Sequence, residues 1–156
     1  MKSLATLLGL LAFLAIPALG QARTIHLLGG AVAANIPDGA RVENGTIVLP
    51  ASGGFSPNVG VAMYADAKRL APYTAQLVAE LRSANDRVYF ERFFSERKAW
   101  AIVYSGTIQR PLYHYAYAYE TSHGIVLVTA TATRRQWSGA TGAMLLEILS
   151  NMTVYL

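Results

Sequence analysis

The stretch that most constrains this chain is Leu112–Glu120, Leu-Tyr-His-Tyr-Ala-Tyr-Ala-Tyr-Glu. Tyr113, Tyr115, Tyr117 and Tyr119 alternate with Leu112, His114, Ala116, Ala118 and Glu120. Successive strand residues face opposite sides of a sheet, so this unbroken alternation specifies a central β-strand with a tyrosine face and a small-residue face. Tyrosine suits a pleated surface, and alanines leave room for a large element to lie flat against them. A helix is therefore expected on the Ala116/Ala118 face, with Val128 and Ala130 beside it.

The rest of the chain supplies partners for that strand. Arg23–Leu28 and Ala31–Ile36 read as short strands, followed by a Pro37-Asp38-Gly39 turn. Asn44-Gly45 is the dipeptide of tight two-residue hairpins, so Arg41–Glu43 and Thr46–Leu49 are expected to pair. The N-terminal third then reads as one meander. Pro50–Gly60 carries three glycines, two prolines and a lone Phe55, and reads as a loop of a length that is often functional or disordered. Val61–Tyr64 is a brief strand. Leu70, Tyr73, Leu77, Val78 and Leu81 recur at helical spacing, which predicts a helix over Pro72–Ser83 after a turn at Asp66–Ala71. Pro72 is tolerated in a first turn. Strands are expected at Arg87–Phe94, Ala99–Ser105 and Ile125–Ala132, the last apolar on both faces and so mid-sheet. Thr133 and Gln136 match a capping box, and Trp137, Thr141, Met144, Leu145, Ile148 and Leu149 make a helical stripe. Met152–Tyr155 closes as a strand.

Residues 1–22 are expected to leave. Lys2 precedes the apolar run Leu4–Ile16, and small residues at 18, 20 and 22 follow Pro17, the layout of a secretory signal peptide cleaved after Gly20 or Ala22. The run is too short to cross a bilayer, which takes about 20 residues, so no stable membrane insertion is expected after cleavage. Residues 23–156 then form a single domain, periplasmic or secreted.

The chain has no cysteine, which excludes disulfides, thiol catalysis, thiolate metal sites and acylation on a cysteine. Its net charge is +4, and removing the one charge of Lys2 leaves +3. Ten of the basic residues are arginines, but without the dense run that nucleic-acid binding needs.

The order of elements around the Ile36-Pro37-Asp38-Gly39 turn resembles the fold shared by the photosystem extrinsic protein PsbP, the Mog-type Ran-binding proteins and the bacterial envelope protein DcrB. Tyr113–Leu149, a tyrosine strand, a glycine turn, Val-Leu-Val-Thr-Ala-Thr-Ala-Thr and a Trp-containing helix, is similar to the end of DcrB-type domains. The resemblance implies an α+β fold, an antiparallel sheet with two main helices packed on it as an α/β/α sandwich, and a non-enzymatic envelope role.

The residues themselves offer little chemistry. His26, His114 and His123 lack the close spacing of a helical metal site, although His114 and His123 flank one hairpin and could approach each other near Glu120. No Gly-x-Ser-x-Gly elbow is present, and Glu91, Glu96 and Glu120 could in principle pair as glycosidase carboxylates, although acids at loosely alternating strand positions are usually surface charges. No catalytic, cofactor or metal residue is assigned. The reading is an exported protein that binds or helps assemble a protein partner in the envelope. The alternatives are an immunity-type protein that neutralises a secreted toxin, and a small envelope hydrolase. Candidate partner contacts are Phe55, Ser56 and Asn58 on the loop, and Tyr113, Tyr115 and Tyr117, since tyrosine combines large apolar area with a polar tip. Tyrosines on a sheet are more readily covered by a helix or loop, their hydroxyls reaching water at the rim. Mass spectrometry of the exported protein should find Gln21 or Arg23 at its N-terminus; full-length chain retained in the membrane would refute the leader.

Overall fold

A computed structural model describes residues 22–106 and 111–156. The expected leader lies outside the described residues, apart from Ala22. Among the described residues, ten strands and three α-helices follow in the order β1 Arg23–Leu27, β2 Val32–Ile36, β3 Arg41–Glu43, β4 Thr46–Val48, β5 Asn58–Tyr64, α1 Leu70–Ser83, β6 Arg87–Phe94, β7 Ala99–Ser105, β8 Leu112–Thr121, β9 Gly124–Thr133, α2 Arg134–Trp137, α3 Ala140–Asn151 and β10 Thr153–Val154. All pairings are antiparallel, in a seven-stranded sheet β3-β4-β5-β9-β8-β7-β6 and a three-stranded sheet β1-β2-β10.

The tyrosine strand β8 is central, paired along its length with β7 and β9. Its parity divides the molecule. On the alanine face, Ala118 packs with Leu70 of α1 and Ile125 of β9, with Tyr73, Trp100 and Leu127 against them. On the tyrosine face, Tyr119, Val126 and Val128 join α3 and the small sheet in the main core, with Val32, Ile36, Leu145 and Ile148 almost wholly buried. The large sheet is thus covered by α1 on one face and by α2, α3 and the small sheet on the other, the expected α+β sandwich.

Local chemistry accounts for most boundaries. Asn44 and Gly45 adopt φ of 48° and 77°, the two left-handed residues that a tight hairpin between β3 and β4 demands. Thr133 caps α2 by a reciprocal pair of hydrogen bonds with Gln136. Asn85, at φ 61°, ends α1 in the left-handed conformation asparagine tolerates.

Several expectations are corrected. The N-terminal third is split between two sheets, because β1 and β2 pair with β10 while β3 and β4 extend the large sheet. β5 begins at Asn58 and so takes the last three residues of the stretch read as loop, since Gly60 fits a strand that pairs with β9. α1 begins at Leu70, whose N–H is held by the Glu120 carboxylate, a long-range cap that no local pattern reveals. The C-terminal helix is broken at Ser138-Gly139 into α2 and α3, and Gly142 then rests against the Trp137 backbone, where an added Cβ would meet the carbonyl oxygen at 2.2 Å. Val128 and Ala130 face the tyrosine side, opposite Tyr117 and Tyr115; Leu127 and Thr129 accompany the alanines.

Ala118 is completely buried beneath α1. Ala118→Leu should overpack that contact and lower stability by about 1–3 kcal/mol, read by chemical denaturation; an unchanged midpoint would show the face to be open.

Candidate functional site

The tyrosine face is covered unequally. α3 and the small sheet pack over β9, whereas toward β6 the sheet surface between the two aromatic rows forms a trough. Its floor is the small-residue side of β7, with Ala101, Val103 and Ser105 opposite Tyr117, Tyr115 and Tyr113. One wall is those tyrosines of β8, each partly buried. The other is β6, where an irregularity between Val88 and Phe90 puts both Tyr89 and Phe90 beside the floor, with Phe94 further along. Tyr89 and Phe90 are 47% and 41% exposed, unusual for rings on a sheet. The cavity over Ala101 and Val103 has a volume of about 390 Å³.

α2 closes one end. The Trp137 ring lies 4.4 Å from that of Tyr115, and its indole N–H donates to the Tyr113 carbonyl at 3.0 Å. Beside it Tyr89 and Tyr113 stack at 6.1 Å, and the hydroxyls of Tyr89 and Ser105 are 3.0 Å apart. That bond, with Tyr113 and the nearby Arg87 and Arg134 charges, holds the Tyr89 phenol below its ordinary range. Burial drives Tyr119 the other way.

The loop candidates meet α2 from another direction. Ser52 and Phe55 form an isolated bridge, and their carbonyls accept bonds of 2.7 and 3.0 Å from the buried Gln136 amide. Phe55 and Ser56 are partly buried, and Asn58 belongs to β5, where its amide donates to the Ser56 carbonyl. Of the loop candidates, Phe55 is therefore tethered to Gln136 and Asn58 to Ser56, while Tyr113, Tyr115 and Tyr117 line the trough next to Trp137. Sequence reasoning missed Tyr89, Phe90 and Phe94. The alternation of β6 was legible, but nothing in it shows that β6 is the sheet edge and that its rings complete a groove.

Among the described residues, the side chains considered for catalysis stand apart. His114 sits on the alanine face, stacked 4.6 Å from Tyr104 with Nδ1 2.9 Å from the Thr131 hydroxyl. His123 lies in the β8–β9 turn, about 23 Å away at roughly 3.3 Å per residue. The two histidines do not approach each other, and among the described residues no three acids or histidines group to hold a metal. Glu91 is level with Ala116 across β7, which puts its backbone about 16 Å from that of Glu120 by strand spacing. A glycosidase pair stands within about 10 Å. A second cavity, about 770 Å³, lies at the start of α1 between Pro72, Phe93, Lys98 and Trp100.

A comparison with protein-family models finds no match, and one with curated protein sequences finds none either. The architecture is that of the PsbP-like fold. Among solved structures it is similar to LpqN of Mycobacterium tuberculosis, described as involved in cell envelope biogenesis, at TM-score 0.59 and 14% identity over 87% of this chain and 91% of that one. It is similar to the cyanobacterial PsbP of Synechocystis, at TM-score 0.58 and 10% identity over 95% and 99%. PA94 of Pseudomonas aeruginosa, of unknown function, matches at 0.56 and 17% over 80% and 91%. At these identities the likeness is one of fold, which is the fold the tyrosine strand and the Ile-Pro-Asp-Gly turn resembled.

Burial lowers the His114 pKa below its ordinary 6.5, against an opposing pull from the Asp86 carboxylate. Between the two values the unfolded chain binds a proton that the folded chain does not, so stability falls as pH drops below about 6.5. The melting temperature should decline from pH 7 to pH 5 more steeply in the native chain than in His114→Gln. Parallel curves would show that the ring titrates freely.

Proposed function

We propose that this chain is an exported, non-catalytic protein of the cell envelope that binds a protein partner, and that the partner docks in the trough between β6 and β8. The observation that carries this reading is the trough itself: adjacent aromatic rings left exposed on a face whose other half is densely covered. Exposed apolar surface of this kind on a folded protein marks interaction sites, and Tyr and Trp beside a cavity are the residue types that concentrate binding energy. The leader pattern supports export, and the described role of LpqN in envelope biogenesis supports the location. The separation of Glu91 from Glu120 and of His114 from His123 weighs against the hydrolase alternative.

Tyr113, Tyr115 and Tyr117 thereby become contact residues, joined by Tyr89 and Phe90. Ser52 and Phe55 keep the loop on α2, and Ser56 and Asn58 are not assigned a partner contact. Because Tyr89 and Phe90 are exposed, the double change Tyr89→Ala/Phe90→Ala should alter stability by only about 1 kcal/mol, roughly 0.5 for each. Partner capture from envelope extract should weaken at least about tenfold, the mark of an energetically significant contact. Undiminished capture by that variant, with capture lost in Phe55→Ala, would move the docking surface to the loop.

A further inference from the structure

The trough is rimmed by arginine. Arg87 and Arg92 alternate with the wall residues of β6, their guanidinium carbons 5.1 Å from the Tyr89 ring centroid and 5.7 Å from that of Phe94. Arg97, in the β6–β7 turn, lies 5.7 Å from the Tyr117 ring. Arg134, the first residue of α2, lines the end next to Tyr89 and Tyr113. All four are exposed. The one ion pair among the described residues is Arg41–Glu43, on strand β3 at the opposite edge of the large sheet. Glu91 stands on the other face of β6, opposite Ile102, and Glu96 is in the turn beside Arg97. The net charge of the whole chain is only +4, so four guanidiniums without carboxylate partners along one groove concentrate the chain's basic excess there.

We propose that the trough takes an extended, acidic protein segment, whose aspartates and glutamates pair with these arginines while its apolar side chains enter between the rings. This rests on the docking reading above and names the partner's chemistry. A guanidinium stacked on a ring is held in place with its N–H edges free, and so is pre-organised for bidentate carboxylate binding. The shape selects a single chain. Two strand spacings set the walls about 10 Å apart, the width of one extended strand with its side chains. The floor from Ala101 to Ser105 runs about 13 Å at roughly 3.3 Å per residue. A bilayer or a nucleic-acid duplex presents too broad a surface to enter such a groove.

The probe is a synthetic peptide with aspartates and glutamates flanking two phenylalanines, titrated calorimetrically against the full chain beside its asparagine/glutamine counterpart. The acidic peptide should bind, its neutral counterpart at least about tenfold more weakly. The difference should shrink as salt shortens the Debye length from about 30 Å at 0.01 M to about 8 Å at 0.15 M. Arg87→Gln/Arg92→Gln/Arg97→Gln/Arg134→Gln should lose a similar factor; if that variant is unfolded by circular dichroism, Arg92→Gln/Arg134→Gln carries the test. Equal binding of both peptides, lost in Tyr89→Ala/Phe90→Ala, would overturn the acidic segment while leaving the docking surface standing. Acidic-peptide binding that survives Tyr89→Ala/Phe90→Ala would overturn the trough as its site. Absence of binding by either peptide, or preferential capture of phosphatidylglycerol vesicles, would overturn the proposal.

Discussion

The structure depends on the period-two alternation of β8. A one-residue slip against β7 or β9 would move every tyrosine onto the alanine face. Rings would then lie where Leu70 and Ile125 close over Ala118, and alanines where Tyr119 meets Val126 and the small sheet. Neither layer could form, so the register is fixed by volume on both sides at once. The hydrogen bonds of β8 to its two neighbours would tolerate the slip; its side chains do not.

The second organising element is the four-residue helix α2. A single turn has almost no helical stability of its own, and here tertiary contacts hold it. Thr133 and Gln136 satisfy its first donors, and the Gln136 amide reaches on to the Ser52 and Phe55 carbonyls. Trp137 lies on Tyr115, a contact of the kind worth about 0.5–1.5 kcal/mol beyond its buried area. Gly142, pressed against the Trp137 backbone, fixes where α3 departs. One turn of helix thus ties the loop, the tyrosine strand and the C-terminal helix together.

What was legible in the sequence was whatever is written locally. The alternation of β8, the Asn44-Gly45 hairpin, the Thr133/Gln136 cap and the limits of β6 and β7 all depend on neighbours in the chain. What was illegible depends on distant partners. The start of α1 is set by Glu120, fifty residues away. The division of the first four strands between two sheets is decided by β10, at the far end of the chain. The face occupied by Val128 and Ala130 follows from register with β8, which a strand apolar on both sides does not reveal. Half of the trough was visible as Tyr113, Tyr115 and Tyr117. Tyr89 and Phe90 read as ordinary members of an alternating strand, because edge position is a property of the sheet.

The break at Ser138-Gly139 explains why the trough exists. A continuous helix from Thr133 to Asn151 would carry the direction of α2 onward. Instead the chain turns after Trp137, and α3 runs against β2 and β9, burying Leu145, Ile148 and Leu149 with the small sheet. The β6 side of the tyrosine face is left to short-range cover. Aromatic rings there are held by one another and by arginines stacked on them, at about 0.5–1 kcal/mol per exposed contact. Such a surface is stable enough to stay ordered in water and is not sealed by an overlying helix. The same turn that completes the core on one half of the sheet therefore opens a groove on the other, with Trp137 at the boundary serving both.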